Sequence, residues 1–203
     1  KPNKSKIMNT QNLILMQMAR ESLKGKWGLA IGTFVVYMII SGGLQAIPDA
    51  GPIATLIISG PFALGAAIFS LSISRNQDAQ LEQIFHGFKN FGTALGAYLL
   101  MILFILLWML LLIIPGIIAA LSYSMTFYIL ADDNSIGAMD AIKKSKKMMD
   151  GYKWKYFCLG LRLLGWALLC VLTLGIGFLW LIPYAQVSVA KFYDDVKANP
   201  LTD

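Results

Sequence analysis

Apolar and polar positions alternate along this chain in long blocks rather than residue by residue. The longest block, 91–131, reads FGTALGAYLLMILFILLWMLLLIIPGIIAALSYSMTFYILA and holds no charged residue. Its first part, Phe91 to Ile114, would form a helix about 36 Å long, enough to cross a hydrocarbon core of about 30 Å. Five further apolar runs read as spans: Trp27 to Ile47, Ile53 to Ser74, Ile117 to Ala131, Tyr156 to Leu172 and Phe178 to Phe192. The run from Ile117 is short, about 22 Å as a helix. It must be extended by Asp132 and its neighbours or sit in thinned bilayer. QAIPDAGP (45–52), Pro115-Gly116 and TLGIG (173–177) predict the turns between paired spans. Gly60-Pro61 predicts a kink in the second span. Gly92 and Gly96 form a GxxxG that lets helices approach closely, a pattern also frequent by chance.

The polar blocks carry helical periodicity of their own. In 9–24, Leu13, Ile14 and Met18, with Leu15, stand among Arg20, Glu21 and Lys24, the pattern of an amphipathic helix at a membrane surface. In 75–90, Leu81, Ile84, Phe85 and Phe88 recur at helical spacing and predict a second such helix, with His86 an interfacial side chain. In 132–155, Asn134 or Ser135 can cap a third, whose apolar side is Ala138, Met139, Ile142 and Met149 and which Gly151 ends. The polar tail from Tyr193 to Asp203 is expected to fray.

Side by side, these pieces show one unit three times, in approximate ranges 9–76, 77–133 and 134–195 of a single domain, 1–203. The junctions are Gly25-Lys26-Trp27, Gly87-Phe88-Lys89-Asn90-Phe91 and Gly151-Tyr152-Lys153-Trp154, with glycines 62 and 64 residues apart. Each unit leaves on polar residues: Arg75-Asn76, Asp132-Asp133 and Asp194-Asp195. A constant period is informative about fold even at low identity. The predicted fold is an all-α membrane protein of six transmembrane helices, three helical hairpins each preceded by a cytoplasmic amphipathic helix. Parallel repeats of this kind could surround a pseudo-threefold axis. The turns hold no Lys or Arg, so the positive-inside rule puts both termini in the cytoplasm and almost nothing outside.

Composition agrees: 57% of residues are hydrophobic and 14% charged, against about 25% charged in a soluble domain. The net charge of +6 sits in clusters bordering the apolar runs, which favours anionic headgroups over nucleic acid. The candidate headgroup or anion ligands are Arg162, Lys143, Lys144, Lys146, Lys147, Lys153, Lys26 and Lys89. Arg162 is the charge inside span five, about 9 Å in from Tyr156, where snorkelling stands level with a buried role such as pairing with Asp132 or binding a lipid phosphate. Ser122, Tyr123, Ser124, Thr126 and Tyr128 are candidates for lining a cavity, with helix-to-helix hydrogen bonding the commoner use.

Cys158 and Cys170 are about 18 Å apart on one helix, too far for a disulfide. One histidine leaves no metal cluster, no cofactor is expected, and no nucleophile–base pair or phosphate loop occurs, so an enzyme is not expected. The polar start KPNKSKIMNTQ carries no signal peptide, and Met8 is a candidate first residue. Two readings follow. One is a membrane protein binding lipid, a membrane-active peptide or a membrane partner, with self-association open and envelope stress or peptide protection as a concrete form. The other is a transporter or channel component.

Four motifs in order, LLIIPGI (111–117), SKKMMDGYKWK (145–155), LGW (164–166) and TLGIGFLWLIPY (173–184), resemble the bacterial integral membrane proteins of domain-of-unknown-function family 975. The resemblance runs from about Asn12 to Tyr193. It implies a bacterial cytoplasmic-membrane location and assigns no activity. Arg162 departs from the small polar residue more usual there. A weaker likeness joins the PG and S-K-x-M segments to membrane domains attached to glycerophosphodiesterases, but this chain holds no such enzyme domain.

Overall fold

The computed structural model describes residues 10–49 and 51–200. The polar leader with Met8, Ala50 of the first turn and residues 201–203 lie outside them. The described chain is helical, with no strand: α1 (Asn12–Ser22), α2 (Trp27–Gln45), α3 (Gly51–Ser74), a 3-10 helix (Leu81–Asn90), α4 (Phe91–Leu111), α5 (Ile113–Tyr123), α6 (Thr126–Asp132), α7 (Ala138–Met148), α8 (Lys153–Leu172) and α9 (Phe178–Ala198). Among the described residues, five helical stretches are long and apolar enough to cross a membrane: Trp27–Gln45, Gly51–Ser74, Leu81–Leu111, Ile113–Asp132 and Lys153–Leu172. The expected sixth, in α9, is a helix but not one of these five. Past Ala190 it carries Lys191, Asp194, Asp195 and Lys197.

The turn expected at Pro115-Gly116 falls earlier, at the extended residue Leu112. Pro115 then lies in the first turn of α5, where its missing N–H breaks no helical bond. A Cβ on Gly116 would come within 2.3 Å of the Met109 side chain, so glycine there lets α5 fold back tightly on α4. The early start resolves the short fourth run, since Ile113–Asp132 is 20 residues long. That stretch breaks between α5 and α6, and Ser145 of α7 fills the break. Its hydroxyl donates to the Ser122 carbonyl (2.8 Å) and accepts the Met125 N–H (3.2 Å), so the freed backbone groups keep partners. Neither Asn134 nor Ser135 caps α7. Gly137 precedes it, and Ser135 gives its N–H (3.0 Å) and hydroxyl (2.6 Å) to Asp133 instead.

The close helix approach lies elsewhere than at Gly92 and Gly96. A Cβ on Gly92 would meet nothing within 4 Å, and one on Gly96 would make ordinary contact with Ala138 at 3.7 Å. By contrast, a Cβ on Gly65 would fall 1.8 Å from the Ile84 carbonyl oxygen, on Gly87 1.9 Å from that of Pro61, and on Gly60 2.6 Å from that of Ala94. α3 runs uninterrupted through Gly60-Pro61, and its small residues admit the backbones of the 3-10 helix and α4. The element expected as a second α-helix is 3-10, with three residues per turn. Its buried row is therefore Ile84 and Gly87, while Phe85 and Phe88 fall in another row, half out, against Phe62 (centroids 5.9 and 5.1 Å).

α1 packs on α9, the 3-10 helix on α3, and α7 on α6; α2 packs on α3, α4 on α5, and α8 on α9. α1 and α7 are each 11 residues long, and each begins 13 residues before a glycine held at φ +75°, Gly25 or Gly151. That left-handed conformation suits glycine at a helix end. Leu15, Ala19 and Leu23 are buried along α1 and its cap, as are Ala141, Ser145 and Met149 along α7 and its cap. The core gathers where these elements meet the ends of α3, α6 and α9. The opposite ends of α4 and α8 are splayed and apolar, with Leu110 87% and Leu172 79% exposed.

Candidate functional site at the basic end of the helices

α3 and α6 end near Asp194 of α9, and Arg75, just past α3, joins them. Its guanidinium grips Asp132 through Nη1 (2.6 Å) and Nη2 (3.0 Å) and Asp194 through Nη2 (2.7 Å) and Nε (3.1 Å). Asp132 also accepts from Tyr193 (2.9 Å) and pairs with Lys197; the Ser74 hydroxyl donates to Asp194 (3.1 Å), and Lys191 donates to the Ser74 carbonyl. At the next residue of α9, Asp195 pairs with Lys155 at the start of α8 at 2.6 Å and accepts from Thr10. The hydrogen bond to Asp132, with help from Asp194, holds the Arg75 proton more tightly than in a free guanidinium. The tail expected to fray from Tyr193 is thus helical to Ala198, and Tyr152 donates to the Asn199 carbonyl.

On the apolar side of this cluster lies a central cavity of about 370 Å³. Phe34 and Tyr37 of α2, Phe62 of α3, Tyr128 of α6, Tyr156 of α8 and Gln186 of α9 are among its walls. Among the residues proposed to line a cavity, Ser124 and Tyr128 do so. Ser122, Tyr123 and Thr126 face α7 or their own helix, their hydroxyls or carbonyls taken up locally. The Tyr128 hydroxyl lies 3.3 Å from Gln186 Oε1, and its ring stacks on Tyr193 (5.6 Å), roofing the cavity beneath the ion pairs. No formal charge lines the cavity. It can take an uncharged or weakly polar group, held by tyrosine hydroxyls and one amide.

The basic candidates do not converge on one point. Lys143, Lys144, Lys146 and Lys147 stand exposed on the outer side of α7, Lys143 loosely paired with Asp140 at 3.4 Å. Lys153 pairs with Asp150 at 3.7 Å, Lys26 donates to the Gln77 carbonyl (3.1 Å), and Lys89 is exposed at the end of the 3-10 helix. They spread over one end of the molecule as a basic rim. Arg162 is exposed on α8 among Leu161, Leu164 and Trp166. It does not pair with Asp132, whose oxygens are taken by Arg75, Tyr193 and Lys197.

A family model described as "Protein of unknown function (DUF975)" matches residues 8–118 and 109–200, which together take in almost the whole chain. The chain belongs to that family. No curated protein and no solved structure matches it. In this DUF975 protein, three of the four family-like motifs have visible structural work. LLIIPGI makes the tight α4–α5 return, SKKMMDGYKWK supplies the Ser145 plug and the Gly151 turn, and TLGIGFLWLIPY turns α8 into α9. Sequence reasoning missed Tyr37, Tyr156 and Gln186 as cavity walls, because each is a lone polar group in an apolar run. It also missed the joining of Arg75 to Asp132 and Asp194, although all three were visible as the residues on which the units leave. No group of three or more His, Cys, Asp or Glu side chains sits together as a metal site among the described residues.

Proposed function

We propose that this protein is a non-enzymatic, multi-pass protein of the bacterial cytoplasmic membrane that holds anionic lipid against a basic cytoplasmic rim. The observation that carries the reading is α7. One side of it is buried in the fold through Ala141, Ile142 and Ser145, so its four lysines are presented outward from a fixed element. Fixed cations beside apolar, outward-facing helices suit lipid phosphates, each worth about 1 kcal/mol near an anionic surface. Both termini lie on that side, and six helices cross as three hairpins of one repeated unit. The repeat rests on the matched lengths and glycine offsets of α1 and α7, and on the cyclic order in which each leading helix packs on the preceding unit's second arm. In the third hairpin α9 is the return arm, its charged end projecting into the cytoplasm.

The test is native mass spectrometry of the full-length protein released gently from its membrane. Wild type should carry anionic lipid, and K143Q/K144Q/K146Q/K147Q should carry less. Equal retention in both would overturn the reading, and a stable mass with a second protein would move the weight to a partner complex. A second reading, a transporter or channel component, draws on the central cavity and its ion-paired roof. It requires Arg75 to release Asp132 and Asp194 as the cavity opens. Shelter of a membrane-active peptide is a narrower form of the first reading.

A further inference from the structure

A second cavity, of about 350 Å³, is a groove on the outer surface. It follows α9 from Gly177 to Tyr184, a distance of about 10 Å along a helix. Trp166 and Cys170 of α8, Trp27 of α2, and Trp180 and Leu181 of α9 form its walls. Arg20, exposed on α1, completes the lining. Arg20 and Tyr184 border the same groove. The Arg20 guanidinium makes no hydrogen bond or salt bridge among the described residues. The groove thus offers one cation with free donors and an otherwise apolar, indole-rich channel that opens among exposed apolar side chains such as Trp166 (55%) and Trp180 (51%).

We propose that this groove is a specific site for one anionic glycerophospholipid of the bilayer, its phosphate on Arg20 and one acyl chain between Trp166, Trp180 and Trp27. The site deepens the lipid reading above and rests on it. Three features select this occupant. A guanidinium presents paired donors that match phosphate oxygens. Tryptophan is at home where an apolar chain meets a polar headgroup. The volume is at the low end of ligand cavities, about 300–1,000 Å³, which fits a single chain and not a whole lipid or a peptide helix. Arg20 stands five residues before Gly25, as Lys146 stands five before Gly151, so the first unit turns toward the groove a cation that the third places on the rim.

The experiment uses the full chain in phosphatidylcholine vesicles containing a small fraction of lipid with brominated acyl chains, which quench nearby tryptophan. A Trp108→Phe/Trp154→Phe background leaves the groove's three tryptophans as the only reporters. Brominated phosphatidylglycerol should reach half-maximal quenching at a roughly threefold lower fraction than brominated phosphatidylcholine, the size of one modest contact. Arg20→Gln should abolish that preference, and Arg20→Lys should keep part of it. Cys170→Phe, which narrows the channel, should weaken quenching by both lipids. Equal quenching by the two lipids, or a preference untouched in Arg20→Gln, overturns the groove. The four-lysine variant separates the two proposals, since it should lose bulk lipid in the mass spectrum and keep the groove's preference. Loss of the preference in that variant, with Arg20→Gln unaffected, would place the anionic contact on α7 and overturn the groove alone.

Discussion

Arg75 shows how much a single side chain at a helix end can carry. Among the described residues it joins Asp132 of α6 and Asp194 of α9 to the end of α3, and it does so with the forked geometry that arginine supplies. Removing it leaves Asp132 with Lys197 and Tyr193, and Asp194 with the Ser74 hydroxyl. Arg75→Gln should therefore destabilise the fold by about 1–3 kcal/mol, the cost of stranding hydrogen-bonded partners. Arg75→Lys should recover only part of that, because one ammonium nitrogen with three donors cannot reproduce the four hydrogen bonds the guanidinium makes. Thermal unfolding in detergent, following helicity, is the check, and an unchanged midpoint in Arg75→Gln would mean the lysines alone hold the cluster. The sequence displayed Arg75, Asp132 and Asp194 as corresponding positions. It could not show that they touch, because opposite charges at the ends of separate helices pair only when those helices converge.

Among the elements, glycines decide which helices meet. Gly65→Ala and Gly87→Ala each drive a methyl group into backbone oxygen at under 2 Å, and a backbone cannot move aside as a flexible side chain can. Each should cost about 3 kcal/mol or more, the upper range for overpacking. Gly92→Ala should be neutral or stabilising by about 0.5–1 kcal/mol, the helix preference of alanine over glycine. Unfolding midpoints of the three variants decide the point, and a Gly92→Ala loss matching that of Gly65→Ala would restore the GxxxG as the contact. The GxxxG spacing was legible and uninformative, since it reports where a helix could approach and not whether a neighbour is there. The 3-10 helix teaches the same lesson. Counting Leu81, Ile84, Phe85 and Phe88 at 3.6 residues per turn presumed an α-helix. The close seat on α3 at Gly65 and Gly87 is made by a three-residue turn, which sends Phe85 and Phe88 to a different side. α7 lies between these cases. Its lysine side was readable, whereas the docking of Ser145 into a broken helix twenty residues earlier was not.

For the whole molecule, the largest buried cluster lies toward the basic end, and the other end, apart from the tight α4–α5 return, is apolar and open. Ile129→Ala, in the core beneath the ion pairs, should cost about 2–5 kcal/mol through the cavity it leaves. Leu172→Ala, at the splayed end, should stay within about 0.5 kcal/mol. Urea or thermal titration in one detergent compares them, and equal losses would mean that the open end is also packed in solution. The sequence by itself determined that the chain is helical, that its helices are long and apolar enough to cross a membrane, where its cations cluster, and to which family it belongs. These follow from block length, charge placement and motif order, which are local properties of the chain. Only the tertiary structure decided that α3, α6 and α9 converge on Arg75, that α5 begins at Ile113, that Gly60, Gly65 and Gly87 and not Gly92 seat the helices, and that Arg20 borders a tryptophan-lined groove. Each depends on two segments distant in sequence meeting at a particular rotation and depth. In an apolar run nearly every face is hydrophobic, so periodicity cannot say which face will turn inward; the backbone contacts made in the folded molecule do.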